Sequence, residues 1–283
     1  MSGGNGDAML EQHGDMFLAT ILATLPAFTI EYTSGTERNE TVIDDNLVSD
    51  GINFLYALDL STTTSVDSFT CFKINQYEVA FLRAYSPEES GQFDRNVIQN
   101  IRNANSANMA IEVYMRPSPY SNKTGAQQFM DLYNSLKDNF VLRSIWLQIT
   151  TPVEWNSHID ENRNFIDNII STAQTYGINV GIYTNFYDWL QITNHWTGAS
   201  NCPLWYWSVF GSGPLGETPS NFYDFQSFAT WTLPVAKQFG QLESVCGSTV
   251  NRDVIISSPV FLRSGEIGQL KISNGKIVIG GYI

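Results

Sequence analysis

Six short apolar runs alternate along this chain with segments of helical periodicity, and this alternation limits the possible folds more than any other feature. Each run has the length and the β-branched or aromatic content of a strand. The runs are residues 54–60, 78–85, 110–115, 144–150, 179–185 and 203–209. Residues 94–104, 124–139 and 163–176 carry apolar side chains three and four positions apart. Strands that alternate with helices form parallel βα units, so we predict an α/β fold, an irregular TIM-like β/α barrel in a single domain.

The last third of the barrel departs from this regular pattern. The helical pattern weakens after residue 207, and residues 221–253 read as a helical turn with short strands. We expect residues 251–253 to close the barrel, which then spans residues 53–254. Residues 255–283 form a tail or an appended hairpin, which the sequence does not place in the barrel. Within it, an Asn-Gly pair suits a tight turn between residues 271–273 and 276–280.

The N-terminal region contains an apolar segment with features of a targeting signal. Residues 16–30 are uncharged and have the length of a signal-peptide core, which predicts a secreted protein or one of the lysosomal lumen. Residues 1–15 are acidic where a signal peptide is basic, so one hypothesis makes Met16 the true start and residues 1–15 a gene-model extension. The alternative is a buried or amphipathic helix. Residues 31–52 are polar and turn-rich, as in a linker.

Charge excludes several classes of partner. Fifteen Lys and Arg against 28 Asp and Glu give a net charge of −13, which argues against nucleic acid and anionic membrane surfaces as partners.

The three histidines show no ligand spacing, and no phosphate-binding loop or nucleophile elbow is present in the sequence. We therefore expect no metal, no cofactor and a monomer. The glycine-rich residues 211–216 are interpreted as a loop beside the site.

Three cysteines and two sequons bear on export. The preferred disulfide is Cys202 with Cys246, which leaves Cys71 free, although spacing leaves all three pairings open. Asn39 and Asn122 begin Asn-x-Thr sequons and are candidate glycosylation sites if the chain is exported.

Six segments together carry a family resemblance. They are YALDLS at 56–61, FLRAY at 81–85, IWLQIT at 145–150, GIYTNFYDWLQIT at 181–193, LWYW at 204–207 and KQFGQLESVCG at 237–247. In this order and spacing the chain resembles the family 25 glycoside hydrolases, a lysozyme family, and most closely their protist-type branch of amoebae and nematodes. The resemblance implies an irregular β/α barrel with peptidoglycan as substrate.

The resemblance also implies an altered catalytic centre. Active members carry a first-strand Asp and an Asp-x-Glu pair after the fourth strand. Here Asp59 is retained, but Gln148 and Thr150 stand at the two positions of the pair. Asp253 and Asn251 are the two candidates for the position of a last-strand Asp. Neither Gln nor Thr can donate a proton as a general acid near neutral pH. We therefore expect impaired or absent muramidase activity.

Other carboxylates could substitute for the missing pair. Glu112 or Asp253, together with Asp59, could divide the acid and base roles if the carboxyl groups lie about 5 to 9.5 Å apart. The competing interpretations are an ion pair of Glu112 with Arg83 or Arg116, and a paired surface position for Asp253.

Aromatic residues at strand ends are candidates for glycan stacking, because barrel enzymes build their sites at the carboxyl ends of strands. The candidates are Tyr85, Tyr114, Tyr183, Tyr206 and Trp207. Trp146 shares a face with the degenerate pair but lies deeper, so we expect it to be packing.

These inferences predict a secreted, lysozyme-like protein of innate immune defence that contacts peptidoglycan with weak or no muramidase activity. One alternative is an active peptidoglycan hydrolase with a rearranged carboxylate pair. Another is an interaction or signalling protein that keeps only the fold.

Overall fold

The computed structural model describes residues 53–257 and 272–281. Several predictions lie outside the described residues: those for 1–15, 16–30, 31–52, Asn39 and the hairpin residue Lys271.

Strands and helices alternate along the described chain. The strands are β1 (Asn53–Leu60), β2 (Tyr77–Ser86), β3 (Gln92–Phe93), β4 (Ala110–Met115), β5 (Phe140–Leu142), β6 (Ser144–Gln148), β7 (Asn179–Thr184), β8 (Leu204–Trp207), β9 (Ala236–Val245), β10 (Ser248–Ser257), β11 (Ile272–Ser273) and β12 (Lys276–Ile279). The helices are α1 (Val66–Ile74), α2 (Asn96–Ser106), α3 (Gly125–Leu136), α4 (Ile159–Thr175) and α5 (Phe186–Thr193).

Eight of these strands close into a barrel, in the order β1, β2, β4, β6, β7, β8, β9 and β10. The pairings from β1 through β9 are parallel, whereas β10 is antiparallel to both β9 and β1. The predicted α/β barrel is confirmed, and closure by the last strand of the 53–254 region is as expected. The strands β9 and β10 are ten residues each, longer than the short strands predicted.

Three of the five helices match the predicted segments, and α1 and α5 were missed. Only Phe69 and Phe72 of α1 are buried, so its apolar pattern is weak. The eight residues of α5 are rich in aromatics and follow a strand directly, so they read as its continuation. Within residues 53–257 and 272–281, no helix has both the length and the apolar composition needed to cross a membrane.

Large aromatic rings fill the barrel interior. Phe81 stacks on Trp205 with their ring centroids 4.3 Å apart, and the Tyr183 ring lies tilted against the same indole at 4.1 Å. Trp146 packs edge-on against Trp205 at 5.8 Å, which confirms its expected packing role. Gly181 on β7 is required here, because a Cβ atom at that position would lie 2.4 Å from Trp146 Cε3. A second apolar core lies between the barrel and the helices.

A disulfide joins α1 to the turn between β9 and β10, through Cys71 and Cys246, whose Cα atoms are 6.0 Å apart. The preferred pairing of Cys202 with Cys246 is therefore wrong. Cys202 is a buried free thiol, and its carbonyl accepts a hydrogen bond from Trp231 Nε1 at 2.7 Å. Cysteine spacing carries no information on which helix packs beside this hairpin turn.

The C-terminal hairpin extends a small sheet beside the barrel. Asn274 and Gly275 have φ of 52° and 76°, as the tight turn between β11 and β12 requires. The hairpin was predicted, but its place was not: β12 pairs in parallel with β5. The Gly280 N–H donates to the Ile111 carbonyl, and the Gly281 N–H donates to Ser144 Oγ, so the segment lies at the N-terminal end of the barrel strands.

Candidate functional site

Asp59 lies near the carboxyl end of β1 and faces the barrel interior, with 4% of its surface exposed. Asn251 stands opposite it on β10. Asp59 Oδ2 accepts a hydrogen bond from Gln238 Nε2 at 2.5 Å, and Oδ1 accepts one from Asn251 Nδ2 at 3.0 Å. Two amide side chains therefore orient this carboxylate.

Asp253 is a second interior carboxyl, fully buried beside Asp59. Its Oδ1 atom accepts a hydrogen bond from Trp205 Nε1 at 2.9 Å. The interpretation of Asp253 as a paired surface residue is wrong, because its position on β10 has the same parity as the interior residue Ile255.

The two carboxyl groups titrate together. Burial raises the pKa of Asp59 to about 6, while hydrogen bonds from Gln238 and Asn251 oppose the rise. Burial and the negative charge of Asp59 hold the pKa of Asp253 well above its ordinary value. At neutral pH Asp59, with a pKa of about 6, is therefore mostly charged, and burial favours the protonated form of Asp253.

Gln148 and Thr150, at the end of β6 and just beyond it, bond to each other. Gln148 Nε2 donates to Thr150 Oγ1 at 3.0 Å. Both line a cavity of about 290 Å³. Its other lining residues are Thr151, Tyr183, Asp188, Trp207 and Gln241.

Gln238 connects this cavity with Asp59. Tyr183 Oη donates to Gln238 Oε1 at 2.9 Å, and Gln241 Nε2 donates to the same oxygen at 2.5 Å. Gln238 Nε2 in turn donates to Asp59, so the side chain of Gln238 links the Asp59 carboxylate to the cavity-lining residues Tyr183 and Gln241.

Asp188, in the first turn of α5, is a site residue that the sequence analysis missed. It is 6% exposed, and its Oδ2 atom accepts a hydrogen bond from Trp207 Nε1 at 2.9 Å. Burial raises the pKa of Asp188, although Trp207 and the Thr151 backbone N–H both favour the charged form. An acidic residue in the first turn of a helix is usually exposed to solvent and interacts favourably with the helix dipole, so its type does not suggest a functional role. Only its position shortly after a strand end could have identified Asp188 as a site residue.

Glu112 lies at the opposite end of the barrel, as the third residue of β4. Its Oε2 atom accepts hydrogen bonds from Trp146 Nε1 at 3.0 Å and Ser144 Oγ at 3.3 Å. Ser144 begins β6, so these contacts belong to the N-terminal end of the strands, away from the Gln148 cavity at the strand ends.

The predicted partners of Glu112 are engaged elsewhere. Arg83 Nε lies 2.9 Å from Asp94 Oδ2, and Arg116 Nη2 lies 2.7 Å from Glu154 Oε1. The expected ion pair of Glu112 with Arg83 or Arg116 is therefore wrong.

Three of the predicted aromatic residues line cavities. Tyr183 and Trp207 line the cavity of Gln148, and Tyr206 and Trp207 line a second cavity of about 440 Å³. Trp207 is thus shared by both. The second cavity is also lined by Asn185, Phe186, Tyr187, Ser208, Val209, Asp224, Phe225, Gln226 and Phe228.

Two other predicted aromatics are interior groups. Tyr85 is 0% exposed, and its ring packs under Gly91, so its predicted role in stacking a sugar is wrong. Tyr114 is buried in the barrel interior, edge-on to Trp205 at 6.1 Å.

The candidate glycosylation site Asn122 does not line the cavity of Gln148. It is exposed in the loop before α3, two residues before the helix N-cap Thr124. Within the described part of the chain, His, Cys, Asp and Glu side chains form no group of three or more that could hold a metal ion.

Comparisons with known proteins agree with this architecture. A profile of the family described as "Lysozyme-like protein 1" matches residues 50–239. Lysozyme-like protein 1 of Caenorhabditis elegans is 42% identical over 271 residues, covering 93% of this chain and 91% of the relative. "Probable GH family 25 lysozyme 2" of Dictyostelium discoideum is 34% identical over 198 residues, covering 69% of this chain and 88% of the relative.

A solved structure shares the fold. The muramidase from Trichobolus zukalii superposes with a TM-score of 0.58 at 17% identity, covering 76% of this chain and all of the muramidase. The profile match and the two relatives show that the chain belongs to the lysozyme-like proteins of glycoside hydrolase family 25.

Proposed function

We propose that this protein is a secreted, lysozyme-like protein of innate immune defence that binds bacterial peptidoglycan and has weak or no muramidase activity. Its relatives support the glycan, since they are named as lysozymes or lysozyme-like proteins. The barrel and the strand-end cavity next to Asp59 supply a place for such a ligand.

The observation that carries the proposal is the bond between Gln148 and Thr150 in the cavity. These two side chains occupy the positions that the resemblance assigns to the acidic pair. Gln148 Nε2 donates a hydrogen bond to Thr150 Oγ1 at 3.0 Å. Glycoside cleavage requires a carboxyl group to protonate the leaving oxygen, and loss of a general acid lowers the rate by roughly 100- to 10,000-fold.

The two substitute acids proposed from the sequence receive no support from their positions. Glu112 bonds to Trp146 and Ser144 at the N-terminal end of the strands. Asp253 is fully buried in the barrel interior, where its Oδ1 atom accepts a hydrogen bond from Trp205 Nε1. The retained Asp59 therefore lacks a partner acid of the family type.

Export is supported by the chemistry of the chain. The disulfide between Cys71 and Cys246 suits an oxidising compartment, and Asn122 is exposed as a glycan acceptor must be. The uncharged residues 16–30 fit a signal sequence. We propose secretion or delivery to a lysosomal lumen, as a monomer.

The test is a muramidase assay on purified peptidoglycan from pH 4 to 8. We expect the wild type to be nearly inert and to sediment with peptidoglycan. The double variant Gln148→Asp with Thr150→Glu should restore cleavage, and adding Asp59→Asn to it should abolish that gain. Cleavage by the wild type at the rate of the double variant would contradict weak activity. Failure of the wild type to sediment would contradict glycan binding and favour another partner on the same fold.

A further inference from the structure

Asp188 is the carboxyl group that lines the cavity of Gln148 and Thr150, and the family resemblance gives it no role. A charged residue in the first turn of a helix ordinarily faces solvent. Asp188 is instead buried, and within the described residues no ion pair includes it. Burial of a carboxyl without a cation costs free energy, so its retention at a cavity wall points to a ligand.

Its contacts leave hydrogen-bonding capacity toward the cavity. An ionised carboxylate offers about four acceptor sites. Trp207 Nε1 and the Thr151 backbone N–H occupy two of them. Trp207 thereby fixes the carboxyl group while its ring lines the same cavity.

The two neighbouring polar groups complement Asp188. The bond from Gln148 Nε2 to Thr150 Oγ1 leaves Gln148 Oε1 as an acceptor and the Thr150 hydroxyl hydrogen as a donor. The cavity thus presents acceptors together with a hydroxyl donor beside an aromatic ring. An acetamido group carries one N–H donor and one carbonyl acceptor, which matches this set. A volume of about 290 Å³ is at the lower limit of small-ligand pockets.

We propose that Asp188 is a ligand-binding residue that accepts a hydrogen bond from the acetamido N–H of an N-acetylated hexosamine, with Thr150 donating to the acetamido carbonyl. The assignment rests on the proposed function, because peptidoglycan supplies such sugars. Gln148 and Thr150 then serve in recognition as neutral polar groups, and Asp188 supplies the one carboxyl group among the residues lining the described cavity.

The experiment compares two trisaccharides with the same β-1,4 linkage, triacetylchitotriose and cellotriose, which lacks acetamido groups. Binding to the full chain is measured by calorimetry and by tryptophan fluorescence. The variants are Asp188→Asn, which keeps the shape, and Thr150→Val, which removes only the hydroxyl. Asp67→Asn is the matched control, since Asp67 is an exposed acid in the first turn of α1.

We expect the wild type and Asp67→Asn to prefer triacetylchitotriose. Asp188→Asn should weaken that binding by about tenfold or more, as loss of a hydrogen bond to a charged group predicts, and Thr150→Val by about threefold. Unchanged affinity in Asp188→Asn, or equal binding of both sugars by the wild type, would overturn the role of Asp188. If the wild type still sediments with peptidoglycan in that case, the proposed function stands. If the wild type neither binds the sugars nor sediments, the proposed function fails as well.

Discussion

Asp59 and Asp253 are diagonal neighbours on the interior face of the β1–β10 ladder, where Ala57 pairs with Asp253 and Asp59 pairs with Asn251. Asp253 Oδ1 accepts from Trp205 Nε1, whereas the buried Oδ2 receives no hydrogen bond from the described residues. An oxygen without a donor beside a second carboxylate is the natural position for a proton. Burial and the nearby charge of Asp59 therefore favour the protonated form of Asp253.

The raised pKa values of Asp59 and Asp253 make stability depend on pH. In the unfolded chain an aspartate releases its proton near pH 3.8, whereas burial raises the pKa of Asp59 to about 6 and also raises the pKa of Asp253. The folded state binds more protons across this window, so stability falls as pH rises from about 4 through 6. A two-unit shift corresponds to roughly 3 kcal/mol. Urea unfolding at pH 4.5, 6 and 7.5 measures the slope.

The variant Asp253→Asn tests the same pair. An asparagine side chain carries no charge at any pH and keeps the shape of the aspartate beside Asp59. We expect it to raise the free energy of unfolding at pH 7 by about 1–3 kcal/mol and to flatten the pH dependence. Asp138→Asn, a surface control, should keep the wild-type slope. A destabilised Asp253→Asn variant with an unchanged slope would count against the raised pKa of Asp253.

The disulfide between Cys71 and Cys246 should stabilise the fold, because it closes a loop with a sequence separation of 175. The double variant Cys71→Ser with Cys246→Ser should lose about 2–4 kcal/mol of unfolding free energy, and reductant should no longer affect it. Cys202→Ala should keep the sensitivity to reductant. Peptide mapping under non-reducing conditions that links Cys202 to either other cysteine would refute the pairing.

Gly181 permits the packing of Trp146. Because a Cβ atom there would lie 2.4 Å from the indole, we expect Gly181→Ala to displace the ring and cost about 1–3 kcal/mol. Gly211→Ala is the control, since nothing lies within 4 Å of a Cβ at that position. Denaturant unfolding of the two variants measures the difference, and equal stabilities would contradict close packing at the indole.

Binding to peptidoglycan should strengthen from pH 7 to pH 5. The chain carries a net charge of −13 and has a sequence pI near 4.5, so repulsion from an anionic cell wall weakens as the pH falls. Added salt should strengthen binding at pH 7 and have less effect at pH 5, because it screens the same repulsion. Sedimentation assays at several pH values and salt concentrations test this. An affinity for peptidoglycan that changes with neither pH nor salt would contradict an electrostatic effect of the net charge.

Sequence periodicity determined the barrel in advance. Apolar runs and three- to four-residue spacings depend on near neighbours along the chain, so they predicted six strands and the helices α2, α3 and α4. The Asn-Gly turn of the β11–β12 hairpin was predicted for the same reason. Alignment with family motifs placed Asp59, Gln148 and Thr150 at strand ends, where the structure has them.

Only the tertiary structure decided which distant side chains meet. Closure of the barrel by β10 sets Asp253 beside Asp59, and a hydrogen bond joins Trp207 of β8 to Asp188 of α5. The partner of Cys246 and the pairing of β12 with β5 are likewise contacts between segments far apart in sequence. Such contacts depend on strand order and register across the whole sheet. Local periodicity predicts which face of each helix or strand is buried, but it does not predict which residue of another element packs against that face.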